Sequence, residues 1–303
     1  MSQTLAPTPE QPAAPEEPAD LEHRAAAARS RHGAWIALPP AVYLILLFAL
    51  PLVIVFVYSF ATRSSTGATV LADWNIASYT RLGNPLVREI VLRSVGYALV
   101  TTVISLVLSY PFAYYIATRP ARVRNILLVL VMIPFWSNFL VRTYAWRVLL
   151  SSSGPVSQLT ELLGMGQTRL LFTTTAIILG LVYGYMPFMI LPLYAAIERI
   201  DLGLVEAARD LYASGAKAFW RVTWPLSRPG VIAGSILVFI PSLGAYVTPE
   251  ILGGSKTTML GSYIVRQFLS ARDWPFGSAL SFVVMALMLA ATLLYFRTGG
   301  RTL

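Results

Sequence analysis

The chain of 303 residues contains no cysteine and only two histidines, His23 and His32. Without cysteine there can be no disulfide, no thiolate nucleophile and no cysteine metal ligand. Both histidines precede the first apolar run, so neither can act as a general base or a metal ligand in a membrane-embedded part. The sequence therefore predicts no catalytic site and no metal site, and it favours a protein that is not an enzyme.

Charged residues are scarce as well: they form 12% of the chain, whereas about a quarter of the residues of an average soluble domain are charged. Hydrophobic residues form 56%, and the mean hydropathy is +0.65. Most of the charge-free windows reach the roughly 20 residues that an α-helix needs to cross the hydrocarbon core. The sequence predicts an all-α membrane protein with six transmembrane helices, over residues 35–60, 94–118, 125–150, 172–197, 229–249 and 275–296.

The segment before the first apolar run, residues 1–33, is rich in proline, alanine and glutamate. It has too few large apolar side chains to offset the entropy of the chain, so a disordered tail is predicted. A cleaved signal peptide is the alternative, but the apolar run exceeds a typical signal core. Residues 34–297 are predicted to form the transmembrane domain, and residues 298–303 a short C-terminus.

The formal net charge of +9 would suggest nucleic acid as a partner of a soluble protein, but here the charges follow the predicted spans. If the N-terminus is cytoplasmic, the inner segments carry 13 lysines and arginines and the outer segments carry 8. The short turn Arg119–Arg124 is the clearest part of this excess. The positive-inside rule then predicts that both termini are cytoplasmic, and no nucleic-acid partner is expected.

One polar segment, Glu206–Pro229 (EAARDLYASGAKAFWRVTWPLSRP), lies between the predicted fourth and fifth helices. It opens with a helix-favouring run at Glu206, and its prolines are expected to stop that run before the next apolar stretch. The spacing of Glu206-Ala207-Ala208, Phe219, Val222, Pro225-Leu226 and Pro229 resembles the EAA loop of ABC importer permeases.

In that family the loop forms a coupling helix, which lies in a groove of a cytoplasmic ATPase. The resemblance assigns ATPase coupling to Glu206, Ala207, Ala208, Asp210, Tyr212, Ala213, Gly215, Phe219 and Pro225. One position departs from the family pattern: the residue six after the glutamate is usually glycine, and here it is Tyr212, with Gly215 three residues later. The geometry of the elbow is open at this point.

The stretch Phe239–Gly254, with Lys256 and Arg272–Pro275 beyond it, resembles permeases of the spermidine/putrescine class, and this resemblance covers nearly all of residues 35–297. It implies a bacterial inner-membrane subunit that forms half of a translocation pathway. The implied partners are two copies of an ATP-binding subunit, which hold ATP and Mg, a second and different permease, a periplasmic solute-binding protein and the lipid bilayer. No cofactor is expected in this chain.

A polyamine that passes through a low-dielectric pathway needs carboxylates or aromatic faces in place of its hydration shell. The candidates for the solute path are Trp136, Arg142, Tyr144, Tyr185, Tyr246 and Glu250. The aromatic side chains are equally suited to bundle packing or to an interfacial belt. Arg142 either faces a watery cavity or extends to the headgroups, and in the cavity it would favour an anionic group, as in an opine-like or other amino-acid-derived solute.

Two other functions are considered for this chain: secondary transport and nucleotide binding. A self-contained secondary transporter often has internal repeats, and none is evident here. A nucleotide-binding site would need a glycine directly before the lysine of Gly253–Thr258 (GGSKTT), but that position is Ser255, so no such site is predicted in this chain.

Overall fold

The computed structural model describes residues 18–64, 67–71, 74–164, 169–254 and 257–299, and it divides at Val55 into two units. Besides the helices and the loops that join them, the described part contains a hairpin in which β1 (Thr62–Arg63) pairs antiparallel with β2 (Thr69–Val70). The helices are α1 (Pro18–Ser59), α2 (Ala77–Arg81), α3 (Pro85–Ala117), α4 (Ala121–Trp136), α5 (Phe139–Leu149), α6 (Pro155–Leu162), α7 (Thr174–Glu198), α8 (Leu202–Asp210), α9 (Gly215–Ala218), a π-helix (Phe219–Thr223), α10 (Trp224–Leu243), α11 (Val247–Leu252), α12 (Leu260–Leu269) and α13 (Trp274–Gly299). The all-α prediction is confirmed.

The first helix begins earlier than the sequence predicted. Residues 18–33 were assigned to the disordered tail, but α1 already includes them, while residues 1–17 lie outside the described part. The composition argument considered only how much surface the segment could bury. It neglected the local helix propensity of the alanine-rich stretch around residues 24–28.

Four helical stretches of the described residues are long and apolar enough to cross a bilayer: Leu38–Ser59, Pro85–Ala117, Thr174–Glu198 and Gly215–Leu243. Helices α4 and α5 form a fifth if they count as one span, although an 86° bend separates them. The stretch Trp274–Ala290 is apolar but shorter. The count of six spans stays a prediction.

Three predicted boundaries differ from the structure, and two of the differences arise from capping. Helix α3 begins at Pro85 instead of residue 94, because the Asn84 side chain accepts a hydrogen bond from Leu86 N at 2.9 Å. The predicted third span is broken, because Asn138 caps a new helix by accepting from Leu140 N at 2.9 Å. The predicted fifth span, 229–249, instead runs through Pro225 and ends at Leu243. The π-helix leads directly into α10, and Pro225 falls in the first turn, where a missing N–H is tolerated.

The core of the second unit is formed by α3, α7 and α10. Its buried residues are Tyr110, Ala113, Met189, Leu193, Ile197 and Val238. Glycines allow α7 and α10 to approach closely, since a Cβ on Gly230 would lie 2.7 Å from Pro192 O and one on Gly234 would lie 2.7 Å from Met189 Sδ. Small residues at helix contacts are typical of packing in membranes.

Candidate functional site

The loop that resembles a coupling helix folds as two short helices at an elbow. Helix α8 begins at Leu202, four residues before the predicted start at Glu206, because Asp201 Oδ1 accepts a hydrogen bond from Gly203 N at 2.9 Å. Helix α9 is capped by Ser214 Oγ, which accepts from Lys217 N at 3.4 Å. Most of the predicted docking residues lie on these two helices and on the elbow between them, while Phe219 lies in the π-helix and Pro225 in α10.

The elbow is formed by a left-handed residue at Tyr212, whose φ is +61°. Tyr212 N donates to Arg209 O at 2.9 Å, and Ala213 N donates to Ala208 O at 3.1 Å. This pair of bonds is the Schellman arrangement that ends a helix, and its left-handed position is usually glycine. A residue with a Cβ at this position costs roughly 1–2 kcal/mol. The tyrosine therefore keeps the geometry that glycine favours, and Gly215 does not take over that role, because its φ is not positive.

The exposure of the predicted docking residues differs along the loop. Glu206, Ala207 and Asp210 are exposed on α8, and Tyr212 is 98% exposed at the elbow. Gly215 is exposed as well. The remaining predicted residues are partly buried, and these are Ala208, Ala213, Phe219 and Pro225. The exposed residues therefore lie on α8, at the elbow that follows it and at the start of α9.

Aromatic side chains connect this loop to the core. Phe219, in the π-helix, packs edge to face on Tyr110 of α3, with ring centroids 5.4 Å apart. Tyr110 also lies 5.5 Å from Trp224, and its hydroxyl lies 2.7 Å from Ser227 Oγ. Single-turn π segments are frequent at functional sites. The π-helix joins α9 to α10, and its Phe219 packs on Tyr110 of α3, so the loop is in direct contact with two core helices.

Sequence reasoning missed Tyr110, Ser227 and one ion pair at this end of the molecule. Arg124 Nη1 lies 2.5 Å from Glu198 Oε1, so the first turn of α4 is joined to the last residue of α7. The partners lie 74 positions apart in sequence, and no motif marks either of them. Their pairing becomes visible only when α4 and α7 are adjacent.

The candidate Arg142 bridges the bend between α4 and α5. Its Nη1 donates to Pro134 O at 2.8 Å, and its guanidinium lies 5.4 Å from the ring centroid of Phe135 and 5.8 Å from that of Tyr183. The carbonyl of Pro134 has lost its helical partner because α4 ends at Trp136. Arg142 therefore has an intramolecular role that neither of the two sequence interpretations included.

The other aromatic candidates divide into two groups. Tyr185 is partly buried, and its hydroxyl donates to Pro241 O at 3.3 Å. Trp136, Tyr144 and Tyr246 are exposed, at 76%, 52% and 49%. The structure thus brings Arg142 and Tyr185 to the contact between the α4–α5 bend and α7, while Tyr246 lies separately at the start of α11.

The candidate acid Glu250 is already paired. Both of its carboxylate oxygens accept from Arg266 Nη2, at 3.0 and 3.1 Å, and Arg266 Nη1 donates to Thr258 Oγ1 at 3.3 Å. Another acid of this region, Asp273, is buried against Arg81 at 2.8 Å and accepts from Phe276 N. These carboxylates hold helices and loops together in the observed structure.

Several apolar helical spans, a core of α3, α7 and α10, and a polar elbow of two short helices between α7 and α10 are the features of a permease subunit of an ABC importer. The chain belongs to the family of binding-protein-dependent transport system inner membrane components, whose profile matches residues 109–299. It is therefore an inner-membrane transport component, and the resemblance predicted from the EAA-like spacing is confirmed.

Curated relatives agree with this assignment, and a solved structure has a similar fold. The chain is 42% identical over 259 residues to the spermidine/putrescine transport system permease protein PotB of Escherichia coli K12, covering 85% of this chain and 94% of that protein. It is 41% identical to PotB of Haemophilus influenzae, covering 85% and 90%. A crystal structure of a bacterial ABC transporter for the import of alginate matches with a TM-score of 0.67 at 16% identity, covering 90% of this chain and 99% of that chain. This last likeness shows the fold.

Proposed function

We propose that this chain forms half of the translocation pathway of an ABC importer for polyamines such as putrescine and spermidine. The observation that carries the proposal is the 42% identity, over 85% of the chain, to a permease named for spermidine and putrescine. The second half of the pathway comes from a different permease, and a periplasmic solute-binding protein delivers the solute. Hydrolysis of ATP, with Mg, takes place on two copies of a separate ATP-binding subunit.

In the proposed topology six spans cross the inner membrane and both termini are cytoplasmic. Helix α13 supplies the sixth span, and α4 with α5 supplies the third as a broken span. The excess of lysine and arginine on the predicted inner segments supports this orientation. The elbow at Tyr212 then faces the cytoplasm, where an ATPase can reach it.

Coupling follows from the connection of the loop to the core. ATP binding draws the two ATPase subunits together, and α8, seated on one of them, moves with it. The π-helix and the Tyr110–Ser227 contact carry that movement to α10 and α3. The pathway thereby switches between inward-facing and outward-facing states, because ATP binds the two states with different affinity.

The contacts of Arg142 within the chain weaken the argument for an anionic solute. Arg142 was the residue that suggested an opine-like or other amino-acid-derived solute, but its guanidinium already binds Pro134 O and lies over aromatic rings. Membership of a binding-protein-dependent family favours the importer over a self-contained secondary transporter. Aromatic faces such as those of Trp136, Tyr144 and Tyr246 supply cation contacts in the proposed path.

The test is to co-express the chain with its ATPase, second permease and binding protein, and to record the ATPase rate in nanodiscs. Putrescine, spermidine and opine-like amino acids are titrated separately. We expect stimulation by a polyamine. Stimulation only by zwitterionic or anionic compounds would contradict the polyamine assignment, and failure of the ATPase to assemble would contradict the importer itself.

The role of the loop is tested by Glu206→Lys, which reverses an exposed charge on α8. We expect ATPase association and uptake to fall together. Glu161→Lys makes the same change on α6 and is expected to leave ATPase association unchanged. Normal association and uptake in Glu206→Lys would remove the assigned role.

A further inference from the structure

Helix α13 leaves an apolar groove against α3 and α10. The groove has a volume of about 340 Å³, and its walls include Val91 of α3, Ile240 of α10 and Val284 of α13. Every residue that lines it is apolar except Thr292, and Thr292 Oγ1 donates to Met288 O of its own helix at 2.8 Å. The only hydroxyl hydrogen of the lining is therefore already used within α13.

This composition excludes a polar occupant. A bound water needs about two to four polar partners, which the wall of the groove does not offer. A polyamine would lose its hydration shell in the groove without gaining a carboxylate in return. The groove is therefore distinct from the solute path, and its chemistry fits an apolar ligand.

The dimensions of the groove select a hydrocarbon chain over a helix. Its lining residues on α13 run from Leu280 to Thr292, which at a rise of 1.5 Å per residue is about 18 Å. Divided by this length, the volume gives a cross-section of about 19 Å² and a width of about 5 Å. An α-helix is about 10 Å across and does not fit, whereas carbon atoms pack about 4 Å apart, so one extended chain of methylene groups does. The length is also close to half of the roughly 30 Å hydrocarbon core of a bilayer.

The groove opens onto apolar surface of the membrane spans. Leu287 lines the groove and is 63% exposed, and Val95 lines it at 37% exposure. Leu92 of α3 and Leu237 of α10, next to the groove in sequence, are exposed as well. On the spans of an inner-membrane component such side chains contact lipid tails, which are as apolar as leucine. An acyl chain can therefore pass from the bilayer into the groove without crossing a polar barrier.

We propose that this groove is a binding site for one acyl chain of a bilayer phospholipid. The bound chain fills the gap between α13 and the pair α3 and α10, and it supplies dispersion contacts across that gap. The site goes beyond the proposed function and does not depend on the solute, so the two can fail separately.

The experiment uses the full-length chain, expressed with its second permease, in vesicles of phosphatidylethanolamine and phosphatidylglycerol. A small share of the phosphatidylethanolamine carries a photoactivatable diazirine midway along one acyl chain, and mass spectrometry identifies the labelled residues. We expect label at Ile240 and Val284, although both are only partly exposed. After transfer into detergent, native mass spectrometry is expected to show phospholipid that the chain has retained.

Two tryptophan substitutions on α13 provide the matched comparison. Val284→Trp fills the groove, whereas Leu289→Trp adds the same side chain at an exposed position that does not line it. We expect Val284→Trp to lose both the label at Ile240 and the retained phospholipid, and Leu289→Trp to keep both. Val284→Ala leaves the groove open and is also expected to keep both.

The wild-type label decides the question even if Val284→Trp fails to fold. Absence of label at Ile240 in the wild type would overturn the site, and so would equal retention of phospholipid in the two tryptophan variants. A helix of the second permease cross-linked to Val284 in place of lipid would overturn it as well. None of these readouts involves polyamine transport, so the proposed function is unaffected by them.

Discussion

Arg142 Nη1 lies 2.8 Å from the carbonyl oxygen of Pro134, across the 86° bend that separates α4 from α5. The hydrogen bond satisfies a carbonyl whose helical partner is lost at the bend, and Ser137 Oγ donates to the same oxygen at 2.6 Å. A single cation thus joins two helical segments that the apolar pattern alone would merge into one. The bend determines where Trp136 and Tyr144 lie, and both are candidates for the solute path.

Replacement of Arg142 by alanine is expected to destabilise the bend. The variant loses one hydrogen bond and the contacts with aromatic rings, together worth about 1–2 kcal/mol. Lysine keeps the charge but not the planar fork, so Arg142→Lys should recover only part of the loss. Uptake should fall with stability, as measured by the unfolding midpoint in detergent and by solute accumulation in vesicles.

The control for this prediction is Arg147→Ala, which removes an exposed arginine of the same helix. Its midpoint is expected to match that of the wild type. Equal midpoints for Arg142→Ala and Arg147→Ala would show that the bond to Pro134 contributes nothing to the bend.

Substitutions of Glu250 and Arg266 distinguish a structural role of Glu250 from a role in solute binding. Because the pair is partly exposed, breaking it should change the free energy of unfolding by less than about 1 kcal/mol. If the ion pair is what matters, Glu250→Gln and Arg266→Gln should lower uptake equally, and exchange of the two residues should restore it. Uptake that falls only in Glu250→Gln would assign Glu250 to the solute instead.

Gly230→Ala tests the close approach of α7 and α10. A Cβ at this position would lie 2.5 Å from Ala196 Cβ and 2.7 Å from Pro192 O, and the second of these is backbone that cannot rotate away. We expect a loss of about 1–3 kcal/mol in stability. Gly96→Ala on α3 is the matched control, because no atom lies within 4 Å of its added Cβ. It should be neutral or stabilising by up to about 1 kcal/mol, and equal losses in the two variants would refute the packing argument.

Tyr110→Phe tests the link between the coupling loop and the core. It removes the hydroxyl that lies 2.7 Å from Ser227 Oγ and keeps the ring that packs on Phe219. The cost is about 1 kcal/mol, since a buried hydrogen bond is lost, and stimulation of the ATPase by the loaded binding protein should weaken. Tyr115→Phe, at a half-exposed tyrosine of the same helix, should behave as wild type. Undiminished stimulation in Tyr110→Phe would exclude this contact from coupling.

Part of the fold could be predicted because hydropathy is a local property. The apolar windows around α3, α7 and α10 were located correctly, but their ends were misjudged by up to about two and a half turns of helix, at the start of α3. The reason is visible at Asn84 and Asn138, whose side chains accept from backbone amides and start helices where hydropathy shows no signal. At Tyr212 the sequence revealed a departure from the glycine pattern, but only the structure shows that the tyrosine adopts the left-handed conformation itself.

The sequence by itself determined the membrane class, the family and the position of the loop that resembles a coupling helix, because composition and motif spacing are read along the chain without reference to distant residues. Only the tertiary structure decided which side chains meet. Arg142 with Pro134, Glu250 with Arg266 and Tyr110 with Ser227 are all such pairs. Each pair depends on helix ends and crossing positions, which arise from packing over the whole core. That packing places a complementary group within hydrogen-bonding distance of the candidate side chain, which then has a partner inside the chain.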